Sequence, residues 1–148
     1  MAFSHARLQN ANSIRLLHLG SGCCSTPLKA YLASYRLGDH CSYDALSYAW
    51  GESGLTELLL VDNQEFKISK NLHTILLHLR YPDRIRTLWI DAICINQQDG
   101  IEKGQQVALM GQIYQQAHTV LCWLGSFQHT GCGHWSFFMC LHKKHPDT

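Results

Sequence analysis

Two polar clusters in an otherwise apolar chain hold the residue types that could do chemistry. Asp91 interrupts the run TLWIDAICI (87–95), and Asn96, Gln97, Gln98 and Asp99 follow directly. In YDALSYAWG (43–51), Ser47, Tyr48 and Trp50 close a short apolar stretch just before a glycine. Open α/β sheets hold their ligands beyond the carboxyl ends of the strands, and a helix starting after Asp99 would favour an anion there. A nucleotide or its sugar could then lie between the Trp50 indole and the hydrogen-bonding groups Asp91, Asn96 and Gln97, with Ser47 alongside. A plainer use competes: Asp and Asn after strands serve as turns and caps, and tryptophans serve as core. Asp91 and Glu102 are the carboxylates to weigh as catalytic acids, and Glu102 is equally well spaced from Asp99 to cap a helix. No nucleophile, acid and base together identify a catalytic site.

The sulfur and imidazole groups lead elsewhere. Cys94 lies in an apolar run with no base near it in sequence, which suits an inert buried thiol better than a nucleophile. The seven cysteines are odd in number and form no CxxC pair, against a disulfide framework, a zinc ribbon or thioredoxin-like chemistry. His129, Cys132, His134, Cys140, His142 and His145 crowd the last stretch. They are enough zinc ligands, but the spacing matches no standard finger, so adventitious binding is the reading and no metal site is expected.

Periodicity and punctuation supply the elements that must position these groups. Residues 14–19 form an apolar run ended by Gly20, and 28–37 fit a helix or a strand equally well. Runs 56–61 and 65–68 flank Asp62, Asn63 and Gln64, the composition of a tight hairpin. Ser69 is placed to cap a helix with the stripe Leu72, Ile75, Leu76 and Leu79, which Tyr81-Pro82 stops. The run 87–95 reads as a strand covered on both faces. After Asp99 a helix with the stripe Val107, Met110, Tyr114 and Ala117 follows, weakened by Gly104 and Gly111. A second buried strand, 119–124, ends at Gly125. Strand, helix, strand in this order predicts a right-handed parallel crossover between neighbouring strands. The expected fold is α/β: a partly parallel sheet flanked by helices, with an antiparallel hairpin. Residues 1–13 read as an N-terminal extension, 14–125 as the domain, and 126–148 as an irregular tail rich in His and Cys.

Composition narrows the function classes. With 46% hydrophobic and 16% charged residues the chain can bury a core and is not a disordered segment. A formal charge of +1 gives no attractive field for nucleic acid or an anionic membrane, so neither is expected as a partner. No apolar run of about 18 residues or more occurs and the start lacks a secretory layout, which predicts a cytoplasmic protein.

YDALSYAWG and LWIDAICINQQDGIEKGQQVALMGQIYQQAHTVLCWLG together closely resemble the heterokaryon incompatibility (HET) domain of filamentous fungi. The family pattern falls on Tyr43, Ala45, Leu46, Ser47, Tyr48, Trp50 and Gly51. In the second block it falls on Trp89, Ile90, Asp91, Cys94, Ile95, Asn96, Gln97, Asp99, Glu102, Gln106, Val107, Met110, Tyr114, Ala117, Trp123, Leu124 and Gly125. The resemblance implies a signalling domain of fungal non-self recognition and programmed cell death that acts by self-association or contact with a protein partner. It also implies a TIR- or flavodoxin-like arrangement, and through it an alternative activity, hydrolysis of NAD, with Glu102 as the remaining acid. In that alternative a glutamate would follow the strand 119–124, and residues 126–148 contain none. No cofactor and no enzymatic activity are therefore expected, and the chain reads as a truncated or inactive member of the family.

Overall fold

The computed structural model describes residues 2–23, 25–50, 54–128 and 134–142. Its strands are β1 (Ser13–Leu19), β2 (Lys29–Arg36), β3 (Asp44–Ser47), β4 (Leu55–Val61), β5 (Gln64–Ser69), β6 (Arg86–Trp89), β7 (Thr119–Gln128) and β8 (His134–His142). Helices α1 (Lys70–Leu79), α2 (Asp91–Cys94) and α3 (Gly100–Gln116) complete the α/β fold. Among the described residues the strands form one mixed sheet, ordered β5-β4-β2-β1-β6-β3-β7-β8.

The centre of that order is dictated by β1, whose seven residues are all buried. It pairs antiparallel with β2 on one side and β6 on the other. The ambiguous run 28–37 resolves as β2 because every residue of β1 has a partner on it, from Ser13 opposite Arg36 to Leu19 opposite Ala30. The β4–β5 hairpin turns through Asp62 and Asn63, both with positive φ (51° and 61°), the backbone that a two-residue turn between twisted strands requires. Ser69 then caps α1, its hydroxyl accepting from the Leu72 N–H at 3.1 Å. Leu72, Ile75, Leu76 and Leu79 bury the expected stripe, and α1 packs on β4 and β5.

Four expectations about the second half are corrected. The run 87–95 is not one strand: β6 ends at Trp89, and the chain turns into α2, with the Ile93 and Cys94 N–H groups donating to the Ile90 carbonyl. Ile90, Ile93, Cys94 and Ile95 are all buried, and a continuous apolar run fits a buried helical turn as well as a strand. Strands β6 and β7 are parallel but not neighbours, because β3 lies between them and pairs parallel with both. The inward face of α3 matches the expected stripe only in part: Ala117 is buried and Met110 and Tyr114 pack on the core, but polar residues share that face. Glu102, Gln106 and Ile113 are buried, whereas Val107 is 52% exposed. The stretch after Gly125, expected to be irregular, runs on in β7 and returns as β8, with a register shift between Trp123 and Ser126. Gly125 at that shift has φ 107°, a conformation glycine adopts without strain.

Polar groups turn inward on α3 where β1 offers them partners, although Gln106 Oε1 has no hydrogen-bond partner among the described residues. Gln106 Nε2 donates to the Ser13 carbonyl of β1 at 2.8 Å. Arg15, the one buried arginine of β1, gives both terminal nitrogens to the Glu102 carboxylate. It also donates to the Ala6 carbonyl at 2.7 Å and the Cys94 carbonyl at 3.0 Å. The Glu102 carboxylate accepts in addition from the Asn96 N–H at 3.0 Å. One ion pair thus joins the N-terminal segment, β1, α2, the turn after it and α3.

Burial alone would raise the Glu102 carboxyl, but the bonds from Arg15 and Asn96 and the positive charge of Arg15 outweigh it and hold it below the usual glutamate range. The folded state therefore binds this proton less readily than the unfolded chain. Stability contributed by the pair is complete above the unfolded value of about 4.3 and is lost as pH falls through the lower folded value. Glu102→Leu or Arg15→Met alone should each cost about 3–5 kcal/mol, because the surviving charge stays buried without its partner. The double substitution should cost clearly less than the sum, and it should flatten the acid limb below about pH 4. Urea denaturation at stepped pH measures both outcomes, and additive losses would show that the two side chains act independently.

Candidate functional site

Beyond the β3 exit the two polar clusters converge on a cavity of about 500 Å³. Its floor is apolar: Leu55, Phe66 and Ile68 come from the β4–β5 hairpin and Leu72 from the first turn of α1. Ala92 and Ile95 of the α2 region close one side, and the N-terminal residues Phe3, Ser4 and His5 close another. Tyr48 and Trp50 reach in after β3. Asn96, Gln97 and Gln98 supply polar groups, and Lys67 and Ser69 of β5 are also among the lining residues. No carboxylate is among the described lining residues.

Local chemistry holds this arrangement. Trp50 is 48% exposed, and its indole N–H donates to Asp91 Oδ1 at 3.3 Å. Asp91 also accepts from the Ala92 N–H at 2.8 Å, which starts α2. Gln97 Nε2 donates to the Asp91 carbonyl at 3.0 Å, and Asn96 Oδ1 accepts from the Gln98 N–H at 3.1 Å. The turn between α2 and α3 is thereby folded back on itself, which leaves the Gln97 carbonyl oxygen and the Asn96 amide nitrogen for a ligand. On the other side, Asn71 Nδ2 donates to the Ala49 carbonyl at 3.2 Å and ties α1 to the β3 exit. The N-terminal wall is fastened by the Phe3 N–H to the Glu65 carbonyl at 3.0 Å and by His5 Nε2 to the Ile93 carbonyl at 2.7 Å. Phe3 packs on Phe66 at 5.5 Å between ring centres.

Burial sets the protonation states around the cavity. It lifts the Asp91 carboxyl above the usual range, against the lowering effect of the Trp50 and Ala92 N–H groups. It lifts the Tyr48 hydroxyl as well, reinforced by Asp91 and Tyr114, so Tyr48 is a neutral phenol. Burial lowers His5, although the Ile93 carbonyl partly restores it. A neutral imidazole therefore stands against the cavity at neutral pH.

Of the residues singled out by sequence, Trp50, Asn96 and Gln97 line the cavity, and Asp91 stands behind Trp50 and Gln97. Ser47 ends β3, is exposed and is not among the lining residues. Glu102 does not line the cavity either; its side chain is committed to Arg15 and the Asn96 N–H. Asp99, not Glu102, is the helix cap, accepting from the Ile101 and Glu102 N–H groups at 3.1 Å. Cys94 is fully buried, with its thiol pushed up to about 12 by burial, which keeps it protonated and inert. Gly51, His129, Cys132 and His145 lie outside the described residues.

Phe3 and His5 were not legible as site residues, since nothing periodic marks residues 1–13. Phe66 and Ile68 carried a signal, because alternation in a hairpin strand sends both to one face. Acid titration tests the link across the rim. As pH falls through the raised Asp91 value, the bond accepted from the Trp50 indole should weaken and tryptophan emission should change with a midpoint above about 3.9, the ordinary aspartate value. Asp91→Asn and Trp50→Phe should each remove that transition. Its persistence in either variant would assign it to another group.

A family model described as heterokaryon incompatibility protein (HET) matches residues 43–146. Heterokaryon incompatibility protein 6, OR allele, of Neurospora crassa is 40% identical over 126 residues, covering 76% of this chain. The chain spans only 18% of that relative's length. No solved structure matches. The matched segment carries β3, the β4–β5 hairpin, α1 and the α2–α3 turn, and so every wall of the cavity except the one made by Phe3, Ser4 and His5.

Proposed function

The chain belongs to the heterokaryon incompatibility family, and from that premise we propose that it is a cytoplasmic signalling module of fungal non-self recognition whose activation leads to growth arrest and cell death. It acts by self-association or contact with a protein partner, and the cavity beneath Trp50 is where the activating signal is read. The observation that carries this reading is the convergence of the two polar clusters. Trp50, 41 positions away in the chain, bonds Asp91 directly, and Asn96 and Gln97 share the cavity with it. A large aromatic side chain left half exposed at the mouth of an apolar cavity is a contact waiting for a ligand or a partner. The parallel trio β6-β3-β7, with α3 crossing between its outer strands, supports a TIR-like arrangement. Among the described residues no helix is long and apolar enough to cross a membrane.

The alternative, cleavage of NAD, has one supporting feature, the Asp91 carboxyl placed beside the cavity against the Trp50 indole. A carboxylate so placed could stabilise positive charge developing on a ribose. Expression in a filamentous fungus should slow growth. Trp50→Ala and Asp91→Ala should abolish that effect while circular dichroism and melting temperature show the variants folded. Full growth with soluble wild-type protein would sink autonomous signalling, and nicotinamide released from NAD by the purified chain would establish the enzymatic alternative.

A further inference from the structure

The sheet ends at β5, and the register of its hairpin fixes which main-chain groups face outward. Val61 pairs with Gln64 across the turn, and the pairing runs on through Phe66 and Ile68. Those residues spend their N–H and C=O groups on β4, so Glu65 and Lys67 turn theirs to the open edge. The N-terminal segment takes up the first of the two. Ala2 forms a parallel bridge with Glu65, the Phe3 N–H donates to the Glu65 carbonyl at 3.0 Å, and the Phe3 ring rests on Phe66. The chain then leaves the edge, and His5 donates to the Ile93 carbonyl instead. The main-chain N–H and carbonyl of Lys67 are left without a hydrogen-bond partner among the described residues. Alternation sends Phe66 and Ile68 into the cavity and the exposed Lys67 side chain to the other face. Lys67 is still a lining residue, so it borders the cavity with its main chain. An open strand edge beside an apolar cavity suits an added strand, whose main chain bonds the edge while alternate side chains enter the cavity. On the outward face Glu65 and Lys67 present opposite charges, and neither forms an ion pair among the described residues.

We propose that β5 is extended by a segment of a partner protein, added parallel to it in place of residues 2–5, with alternate apolar side chains seated over Phe66 and Ile68 beneath Trp50. The direction follows the Ala2–Glu65 bridge. The first apolar residue takes the place of Phe3: its N–H donates to the Glu65 carbonyl, and its carbonyl accepts from the Lys67 N–H. The second donates its N–H to the Lys67 carbonyl and fills the volume of about 500 Å³ that remains with Phe3 in place. The intervening residues face solvent, where a basic one lies beside Glu65 and an acidic one beside Lys67, since opposite charges on paired strands attract. The N-terminal segment is a placeholder that satisfies Glu65 and fills one apolar seat, and a strand that also pairs with Lys67 displaces it.

The inference rests on the reading of the cavity as a signal-reading site, and it fails separately, because peptide binding is measured without reference to growth. The probe is acetyl-Ser-Lys-Phe-Glu-Leu-Ser-amide, titrated into the full chain by calorimetry beside two analogues, one N-methylated at its Leu and one at its Glu. The parent peptide should bind saturably at one site. The methyl group on Leu blocks the bond to the Lys67 carbonyl and should weaken binding about tenfold. The methyl group on Glu sits on an N–H that points away from the sheet, and it should change affinity by less than about twofold. Phe3→Ser loosens the segment to be displaced and should tighten the parent peptide about three- to tenfold, since more of the protein then has its edge open. Equal effects of the two methyl groups would overturn main-chain pairing, and an unchanged affinity in Phe3→Ser would overturn displacement of the N-terminal segment. No saturable binding to either protein would overturn the partner class. A chain that dimerises in sedimentation and leaves the peptide unbound would give the edge to a second copy and overturn the proposal as well.

Discussion

A buried cation, the Arg15 guanidinium, constrains the rest of the structure. It sits on the central strand, almost wholly inaccessible to water, and arginine cannot escape the cost of burial by losing its proton. Every segment that passes nearby must therefore bring it an acceptor. Glu102 brings a carboxylate from α3, Cys94 a carbonyl from the end of α2, and Ala6 a carbonyl from the N-terminal segment. The carboxylate has lone pairs to spare and takes the Asn96 N–H as well. Such a pair adds little net stability over a well-packed apolar pair. Its effect is on arrangement, because few alternative packings of these segments would satisfy the same charge.

The cavity follows from that arrangement. Fixing Asn96 over Glu102 places Gln97 and Gln98 at the rim, while fixing Ala6 against Arg15 leaves Phe3 and His5 to reach across to Phe66 and the Ile93 carbonyl. The sheet order does the remainder. Because β3 enters between β6 and β7, the β3 exit carrying Tyr48 and Trp50 emerges beside the α2 turn carrying Asp91. Direct pairing of β6 with β7 would have separated the two polar clusters by a strand's width or more. Trp50 and Asp91 thus meet because β3 lies between β6 and β7, and not through the direct β6–β7 pairing that sequence periodicity offered.

What the sequence made legible were features decided by neighbours in the chain. The Asp62-Asn63 turn, the Ser69 cap and the stripe of α1 each depend on a few consecutive residues, and each formed as read. What it hid depended on partners far away. The run 87–95 is apolar throughout, so periodicity could not separate the end of β6 from the turn of α2. The inward face of α3 was legible at Met110, Tyr114 and Ala117 but not at Glu102 and Gln106, which face inward on account of Arg15 and the Ser13 carbonyl, 87 and 93 positions away. Those two polar residues are costly to bury alone and acceptable only with those partners. No window of sequence around α3 contains that information. The same holds for Phe3 and His5, whose role is set by a hairpin some 60 residues downstream.

These distances bear on how the walls of the cavity can move. The cavity is not walled by the rigid centre of the sheet alone. The wall at the α2–α3 turn is anchored by buried Ile93 and Ile95, whereas the N-terminal segment has Phe3 against Phe66 and is otherwise held by hydrogen bonds to the Glu65 and Ile93 carbonyls and from Arg15 to the Ala6 carbonyl. Elements with few buried apolar anchors open at lower free energy than core strands. A ligand that bridged Trp50 and the rim would bind the closed arrangement better than the open one, and it can shift that equilibrium only by that difference in affinity. The shared anchor makes the two walls dependent on each other, since Ala6 and Asn96 meet the same ion pair.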